Sequence, residues 1–181
     1  MKPKKAVKDR ILDHTSEASV ILPELASFAD STLVLLRARL DSEMRRRKIA
    51  LSVGGVGERL TIGFFNANPS LPKLQAAPPG TKNADALSRD GERYSIKTVC
   101  HAKKTGTIYP ATDDRDRQLF EYVLIVQLSE DWTLKSIHQL SWKAFAKVRS
   151  WDKRMNAWYL AVSARTLAAG SSLYENHGDA T

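Results

Sequence analysis

Cysteine is nearly absent. The 181 residues include one, Cys100, so no disulfide closes within the chain and a cysteine-rich zinc site is excluded. Histidine is also sparse: His14, His101, His138 and His177 are scattered without ligand spacing, which argues against a zinc centre. No apolar run approaches the ~20 residues needed to span a bilayer. The opening Met1-Lys2-Pro3-Lys4-Lys5 is basic but leads into no apolar signal core, so the expected compartment is the cytoplasm, with no membrane partner. Internal repeats and low-complexity tracts are missing too. The remaining shortfall is of acid. Lys and Arg number 28 against 20 Asp and Glu, for a net charge of +8.

What is present is ordinary globular composition, with 43% hydrophobic and 27% charged residues. The length suits one domain with a real core and a small helical appendage. The basic excess is uneven. Residues 143–165 carry Lys143, Lys147, Arg149, Lys153, Arg154 and Arg165 against Asp152 alone, and Arg45-Arg46-Arg47-Lys48 form a second cluster. Such clustering favours a polyanionic partner. The plainer alternative is a solvated surface that keeps the protein dispersed.

Periodicity divides the chain in three. Residues 1–50 read as an N-terminal helical extension, with a frayed basic tail over residues 1–10 and two helices between Ile11 and Lys48, broken near Pro23 or Asp30-Ser31. Leu25, Phe28, Leu33, Leu36, Leu40 and Met44 recur mostly at three- and four-residue steps, and Asp30 and Ser31 suit helix caps. Residues 51–170 read as the core. Ser52-Val53-Gly54-Gly55-Val56-Gly57 is a glycine-rich entry to a helix from Glu58 to about Asn66, without the spacing of a phosphate-cradling loop. A short strand is expected over Lys73–Ala77, and strands near Ala84–Leu87 and Arg93–Val99 flank a Ser88-Arg89-Asp90-Gly91 turn. His101 to Arg117 is polar and reads as a mobile loop. Tyr122-Val123-Leu124-Ile125-Val126 fits a central strand, Trp132–Ile137 another and Trp158–Val162 a late one; Ser141 caps a helix through Val148, and Ala164–Ala169 suits a short helix. Residues 171–181 are expected to be a flexible tail. The fold class is therefore α/β or α+β, a central mixed sheet flanked by helices with the helical extension attached.

The chemistry concentrates on the hairpin. Asp85 ends one strand region and Lys97 lies on the next, and Ser95 and Lys97 share a face by period-two alternation. A carboxylate can anchor a divalent cation, magnesium needs only one or two because it keeps several waters, and a nearby ammonium can position water or offset developing charge at a phosphate. The main-chain carbonyl of Ile96 can also reach the metal. The alternatives are that Asp85 forms a strand-end turn, Lys97 guards a strand edge and Glu58 complements a helix dipole.

Gly54-Gly55-Val56-Gly57-Glu58, Asp85-Ala86 and Gly91-Glu92-Arg93-Tyr94-Ser95-Ile96-Lys97-Thr98, followed by Arg117-Gln118 and Glu121-Tyr122-Val123-Leu124-Ile125-Val126, together resemble the PD-(D/E)xK nuclease superfamily. The likeness is to its small bacterial restriction-endonuclease-like proteins and covers residues 52–168. It implies a restriction-endonuclease-like core and magnesium-dependent cleavage of double-stranded DNA, with manganese as a substitute cation. It further implies a type II restriction enzyme acting as a homodimer, plausibly beside a companion DNA methyltransferase. Glu58, Asp85 and Lys97 become the catalytic candidates, with Asp85, Glu58 and the Ile96 carbonyl as metal ligands. The chain departs from the pattern at Ser95, where the family usually has a second carboxylate. Glu58 on the preceding helix is the candidate replacement and Glu92 a weaker one, since Glu92 falls on the opposite face from Lys97 by the same alternation; Ser95 and Gln118 are further possible site residues. Ser95 also motivates the alternative of a nuclease-fold DNA-binding protein without catalysis. A third alternative is an interaction protein whose basic face binds RNA or an acidic partner.

Glu58, Asp85, Ser95 and Lys97 are expected on one side of the sheet. Lys103, Lys104, Arg115, Arg117, Arg149, Lys153 and Arg154 are the DNA-contact candidates. Trp151, set between Arg149 and Lys153-Arg154, is the one tryptophan with a case for touching nucleic acid. Cys100 reads as a buried apolar filler.

Overall fold

The structure, a computed structural model, describes residues 25–49 and 52–176. The expected first helix, the basic tail, Pro23, His14 and His177 lie outside the described residues.

Helix α1 spans Asp30–Arg46 and α2 Val53–Ala67. Strands β1 (Leu74–Ala76), β2 (Ala86–Ser88), β3 (Arg93–Val99), β4 (Tyr122–Leu128) and β5 (Leu134–Ser141) follow, then α3 (Trp142–Val148), a ribbon of β6 (Ser150–Asp152) and β7 (Ala157–Tyr159), α4 (Ala164–Ala168) and β8 (Ser171–Glu175). The main sheet has six strands in the order β1-β2-β3-β4-β5-β8. Only the β3–β4 pair is parallel; the others are antiparallel, so the sheet is mixed as expected.

Alternation along β3 and β4 builds two apolar layers. Tyr94 and Ile96 pack with Leu124, Val126, Phe64 and Phe65 under α2. Val123 and Ile125 point the other way, packing with Ile108, Phe120, Phe145 and Leu160. The parallel register pairs Ser95 with Val123 and Lys97 with Ile125, so the odd-numbered positions of β3 belong to this second face.

Several boundaries differ from expectation. The glycine-rich segment is itself helical: α2 starts at Val53, with Ser52 Oγ accepting from the Gly55 N–H, so Glu58 sits in the second turn. Neither Asp30 nor Ser31 caps α1, whose N-cap is Ala29, and no residue of that helix is buried. Asp85 immediately precedes β2, and the strand expected at Trp132–Ile137 runs Leu134–Ser141, because Trp132 takes a left-handed φ of 65° in the turn before it. The expected strand at Trp158–Val162 ends at Tyr159 and pairs with β6, outside the main sheet. Ser171–Glu175 is no tail but the edge strand β8, paired with β5. Nor is the His101–Arg117 stretch loose. Lys104 bridges to Ala161 and Ile108 to Trp158, and Ile108 is 2% exposed, buried in the second core. Cys100 is only partly buried and donates its thiol to the Ser129 carbonyl at 3.1 Å.

Candidate active site

The Ser88-Arg89-Asp90-Gly91 turn closes the β2–β3 hairpin, with Gly91 at φ 83°, a conformation that favours glycine. Strand β2 pairs with β3 only through Ala86 and Leu87, and Asp85 continues the ladder for one more step by donating its N–H to the Tyr94 carbonyl at 2.8 Å. Beyond that point, among the described residues, β3 has no paired strand on this side, and the Asp85 carboxylate occupies the gap. Its Oδ2 accepts from the Ile96 N–H at 2.6 Å, from Ser95 Oγ at 3.3 Å and from Lys97 Nζ at 3.3 Å. Among the described residues, Oδ1 has no donor. In an extended strand the N–H and C=O of one residue point the same way, so the Ile96 carbonyl opens toward this same gap.

Ser95, 1% exposed, therefore orients Asp85 by hydrogen bonding, while Lys97 and Asp85 form an ion pair with side chains 19% and 27% exposed. That pair keeps some contact with solvent and so is open to a ligand.

Glu58 arrives from the other layer. Strand β3 turns Tyr94, Ile96 and Thr98 toward α2, and α2 lies so close that a Cβ on Gly57 would fall 2.0 Å from Thr98 Oγ1. This close approach brings Glu58 into the electrostatic range of the hairpin. Burial pushes its carboxyl above the ordinary value, and the Asp85 charge raises it further, with Lys97 and Arg59 pulling the other way. Glu58 also lines a cleft of about 420 Å³ with Gly55, Arg59, Ile62, Gly63 and Ala76, beside the β1 edge. Asp85, Ser95 and Lys97 thus form one hydrogen-bonded group, whereas Glu58 approaches from the opposite layer and makes no direct bond to them. The expectation of all four on one side fails for Glu58, because α2 packs on the even-numbered face of β3.

Among the described residues no three His, Cys, Asp or Glu side chains cluster as a metal site. The donor set nonetheless suits a hard cation that retains its water: the free Oδ1 of Asp85, the outward Ile96 carbonyl, and a second carboxyl whose charged form is disfavoured partly by Asp85. A cation between the two carboxylates would remove that repulsion.

The weaker candidates lie elsewhere. Glu92 is held at the hairpin turn, accepting from Tyr94 Oη at 3.0 Å and lying 3.4 Å from Ser88 Oγ. Gln118 bonds the Phe120 carbonyl and Glu121. It belongs to a clamp in which Glu121 accepts from the Arg93 main-chain N–H at 2.6 Å and from the Arg93 guanidinium at 2.8 and 3.1 Å. This clamp fixes the parallel register of β3 and β4 where both strands begin. In the sequence Glu121 is part of a strand pattern, and Arg93, 28 residues away, lies beyond any local signal.

The basic candidates divide. Arg149 has an 11% exposed side chain, stacks 3.9 Å from the Trp158 ring centroid and pairs with Asp116. It is a structural residue, which corrects its assignment as a DNA contact. Arg117 pairs with Asp113, and Lys104 with Asp152. Arg115 lies 4.4 Å over the Trp151 ring. Trp151, covered by Arg115 and set edge-on to Trp158 at 4.5 Å, is not a free stacking platform. Lys103, Lys153 and Arg154 are exposed, and among the described residues none of them makes an ion pair.

No known protein-family model matches the chain, and a comparison with curated proteins finds no match. No helix among the described residues is long and apolar enough to cross a membrane.

Proposed function

We propose that the protein is a magnesium-dependent endonuclease of double-stranded DNA, a type II restriction enzyme of the PD-(D/E)xK type. The observation that carries the reading is the Asp85 carboxylate, gripped through one oxygen by Ser95, the Ile96 N–H and Lys97, and free at the other. In this reading Asp85 and Glu58 hold the cation with the Ile96 carbonyl, and manganese substitutes for magnesium. When bound, the cation polarises the phosphate and eases ionisation of the attacking water. Ser95 and the Ile96 N–H keep Asp85 in one orientation. The Lys97 ammonium, 3.3 Å from Asp85, positions water or offsets charge developing on the phosphate. The net charge of +8 suits a polyanion, and the expected setting is the cytoplasm, plausibly beside a companion methyltransferase.

A homodimer accompanies this reading. Helix α1 leaves Leu33, Val34, Leu35, Leu36 and Leu40 exposed, with Asp30 at one end and Arg45 and Arg46 at the other. Two such helices packed antiparallel would cover the leucines and bring opposite charges together.

Ser95 favours a second reading, a DNA-binding protein of the same fold without catalysis, because the usual second carboxylate is absent from β3. Cleavage of plasmid DNA with and without magnesium or manganese separates the two. Asp85→Asn is expected to abolish cleavage and keep or improve DNA binding, since it removes a negative charge near the phosphate along with the ligand. Full cleavage by this variant would remove the mechanism. Wild-type protein that cuts nothing across a broad sequence panel would leave the binding-only reading.

A further inference from the structure

The β6–β7 ribbon projects a four-residue tip, Lys153-Arg154-Met155-Asn156, and all four residues are exposed. The tip is tightly formed. Asp152 Oδ1 accepts the N–H groups of Arg154 and Met155 at 3.0 and 3.1 Å, and Asn156 takes a left-handed φ of 50° to return the chain. The stem is stiffened on both sides: Trp151 meets Trp158 edge-on, Arg149 stacks on Trp158, Arg115 lies over Trp151, and Lys104 lies 5.0 Å over Tyr159.

The charges divide in the same way. The stem cations are neutralised, Lys104 by Asp152 and Arg149 by Asp116, and Arg115 reaches Asn156 Oδ1 at 3.4 Å. The Lys153 and Arg154 side chains make no ion pair among the described residues, and the neighbouring Asp152 is engaged with Lys104 and the tip's main chain. A surface built only for dispersal has no need of so rigid a support beneath two unpaired cations.

The ribbon also lies on the side of the sheet that carries Lys97. Trp158 and Leu160 pack with Val123 and Ile125, the register neighbours of Ser95 and Lys97. A duplex resting on this face would meet both features. A two-stranded ribbon fits the ~12 Å major groove of B-form DNA but not the ~6 Å minor groove, and Arg and Lys donors match the O6 and N7 acceptors of guanine.

We propose that the β6–β7 ribbon enters the major groove of duplex DNA and reads guanine through Arg154 and Lys153. This rests on the DNA-directed reading above, though not on cleavage.

The test uses the full chain carrying Asp85→Asn, which leaves the tip intact and allows binding to be followed without cutting. Selection from a randomised duplex pool is expected to yield a guanine-containing consensus. Adding Arg154→Ala or Lys153→Ala should erase preference at one or two base pairs, with a tenfold or greater loss of discrimination there, while salt-sensitive binding to other sequences persists. Replacing the preferred guanine by 7-deazaguanine, which lacks the N7 acceptor, should cost the parent its preference and cost the Arg154→Ala protein nothing further. Uniform weakening across all sequences, with the log–log salt slope smaller by about 0.9 per residue removed, would overturn the proposal by showing phosphate contact alone. So would an unchanged consensus, or equal binding to double-stranded RNA, whose major groove is too deep and narrow for a ribbon. A wild-type protein that selects the consensus yet cuts nothing defeats the nuclease reading and leaves the ribbon standing. One that cuts normally, with a consensus unmoved by Arg154→Ala, does the reverse.

Discussion

Gly57→Ala tests how α2 is held against the sheet and, through that, how Glu58 reaches Asp85. A Cβ at position 57 would lie 2.0 Å from Thr98 Oγ1, 2.4 Å from Cγ2 and 2.7 Å from Cβ. The last contact cannot be relieved by a rotamer change, because Thr98 Cβ is fixed by the strand. The helix must therefore move away from β3. Phe64 and Phe65 anchor it to Tyr94, Ile96 and Leu124, so movement opens the first core. Overpacking of this kind costs ~1–3 kcal/mol, while replacing a helical glycine by alanine returns up to about 1 kcal/mol. A net loss of about 1–2 kcal/mol corresponds to a Tm lowered by roughly 2–8 °C for a chain of this size.

Gly63, on the exposed side of the same helix, is the control. Nothing lies within 4 Å of a Cβ built there, so Gly63→Ala should stabilise by about 0.5–1 kcal/mol through backbone entropy alone. Thermal and denaturant unfolding of both variants give the comparison. A Thr98→Ala change in the Gly57→Ala background removes Oγ1 and Cγ2 but leaves Cβ, so partial recovery is expected, read as a coupling energy in a double-mutant cycle. Magnesium affinity and cleavage should fall in Gly57→Ala beyond any change in Gly63→Ala, because Glu58 is carried away from Asp85. Equal stabilisation by both alanines would refute the close approach.

Other perturbations address the charges. With Glu58 supplying the second carboxylate, Ser95→Glu should leave cleavage unchanged or lower it, since the new acid enters a site 1% exposed beside Asp85; a gain in plasmid cleavage would return that role to position 95. The raised Glu58 pKa means that, between its ordinary and folded values, the folded chain holds more protons than the unfolded one, so this group's contribution to stability falls as pH rises through that window. Glu58→Gln should flatten that part of the urea stability–pH profile, and magnesium affinity should lose its rise over the same window. Glu121 behaves oppositely: Arg93 holds its carboxyl below the usual range, so its stabilisation is present above the unfolded value and is lost as pH falls through the folded one. Glu121→Gln should reduce the acid sensitivity of unfolding, by under about 1 kcal/mol because the Arg93–Glu121 pair is partly solvated. Leu36→Glu on α1 should shift sedimentation toward monomer and lower Tm only at concentrations where the parent is a dimer, since among the described residues of one chain that helix buries no residue; an unchanged dimer would move the interface elsewhere.

The hairpin was legible because its signals are local. Ser88-Arg89-Asp90-Gly91 specifies its own turn, and alternation then assigns Ser95 and Lys97 to one face without reference to the rest of the chain. Long-range pairing left no such trace. The Glu121–Arg93 clamp and the addition of Ser171–Glu175 to the sheet edge depend on partners distant in sequence. The short polar-rich β8 therefore resembled a tail. Glycines misled at the start of α2, where helix-breaking composition conceals a tight helix–strand approach. The exposed leucines of α1 were periodic enough to predict a helix, but periodicity alone did not say that the described residues leave their face uncovered.

In the proposed site, serine at position 95 leaves β3 without a second carboxylate. A carboxylate there would place a buried anion beside the partly exposed Asp85, with Lys97 as the one cation paired to it among the described residues. Serine instead donates to Asp85, so the strand supplies three donors to a single carboxylate, from Ser95, Ile96 and Lys97. The second acid sits across the layer on α2, where burial, and then the Asp85 charge, raise its carboxyl above the ordinary value. The distance between the two acids is therefore set by helix packing rather than by strand geometry. On the proposed nuclease reading, a glycine facing Thr98, with no side chain of its own to contribute, would then govern whether the two carboxylates reach the same ion.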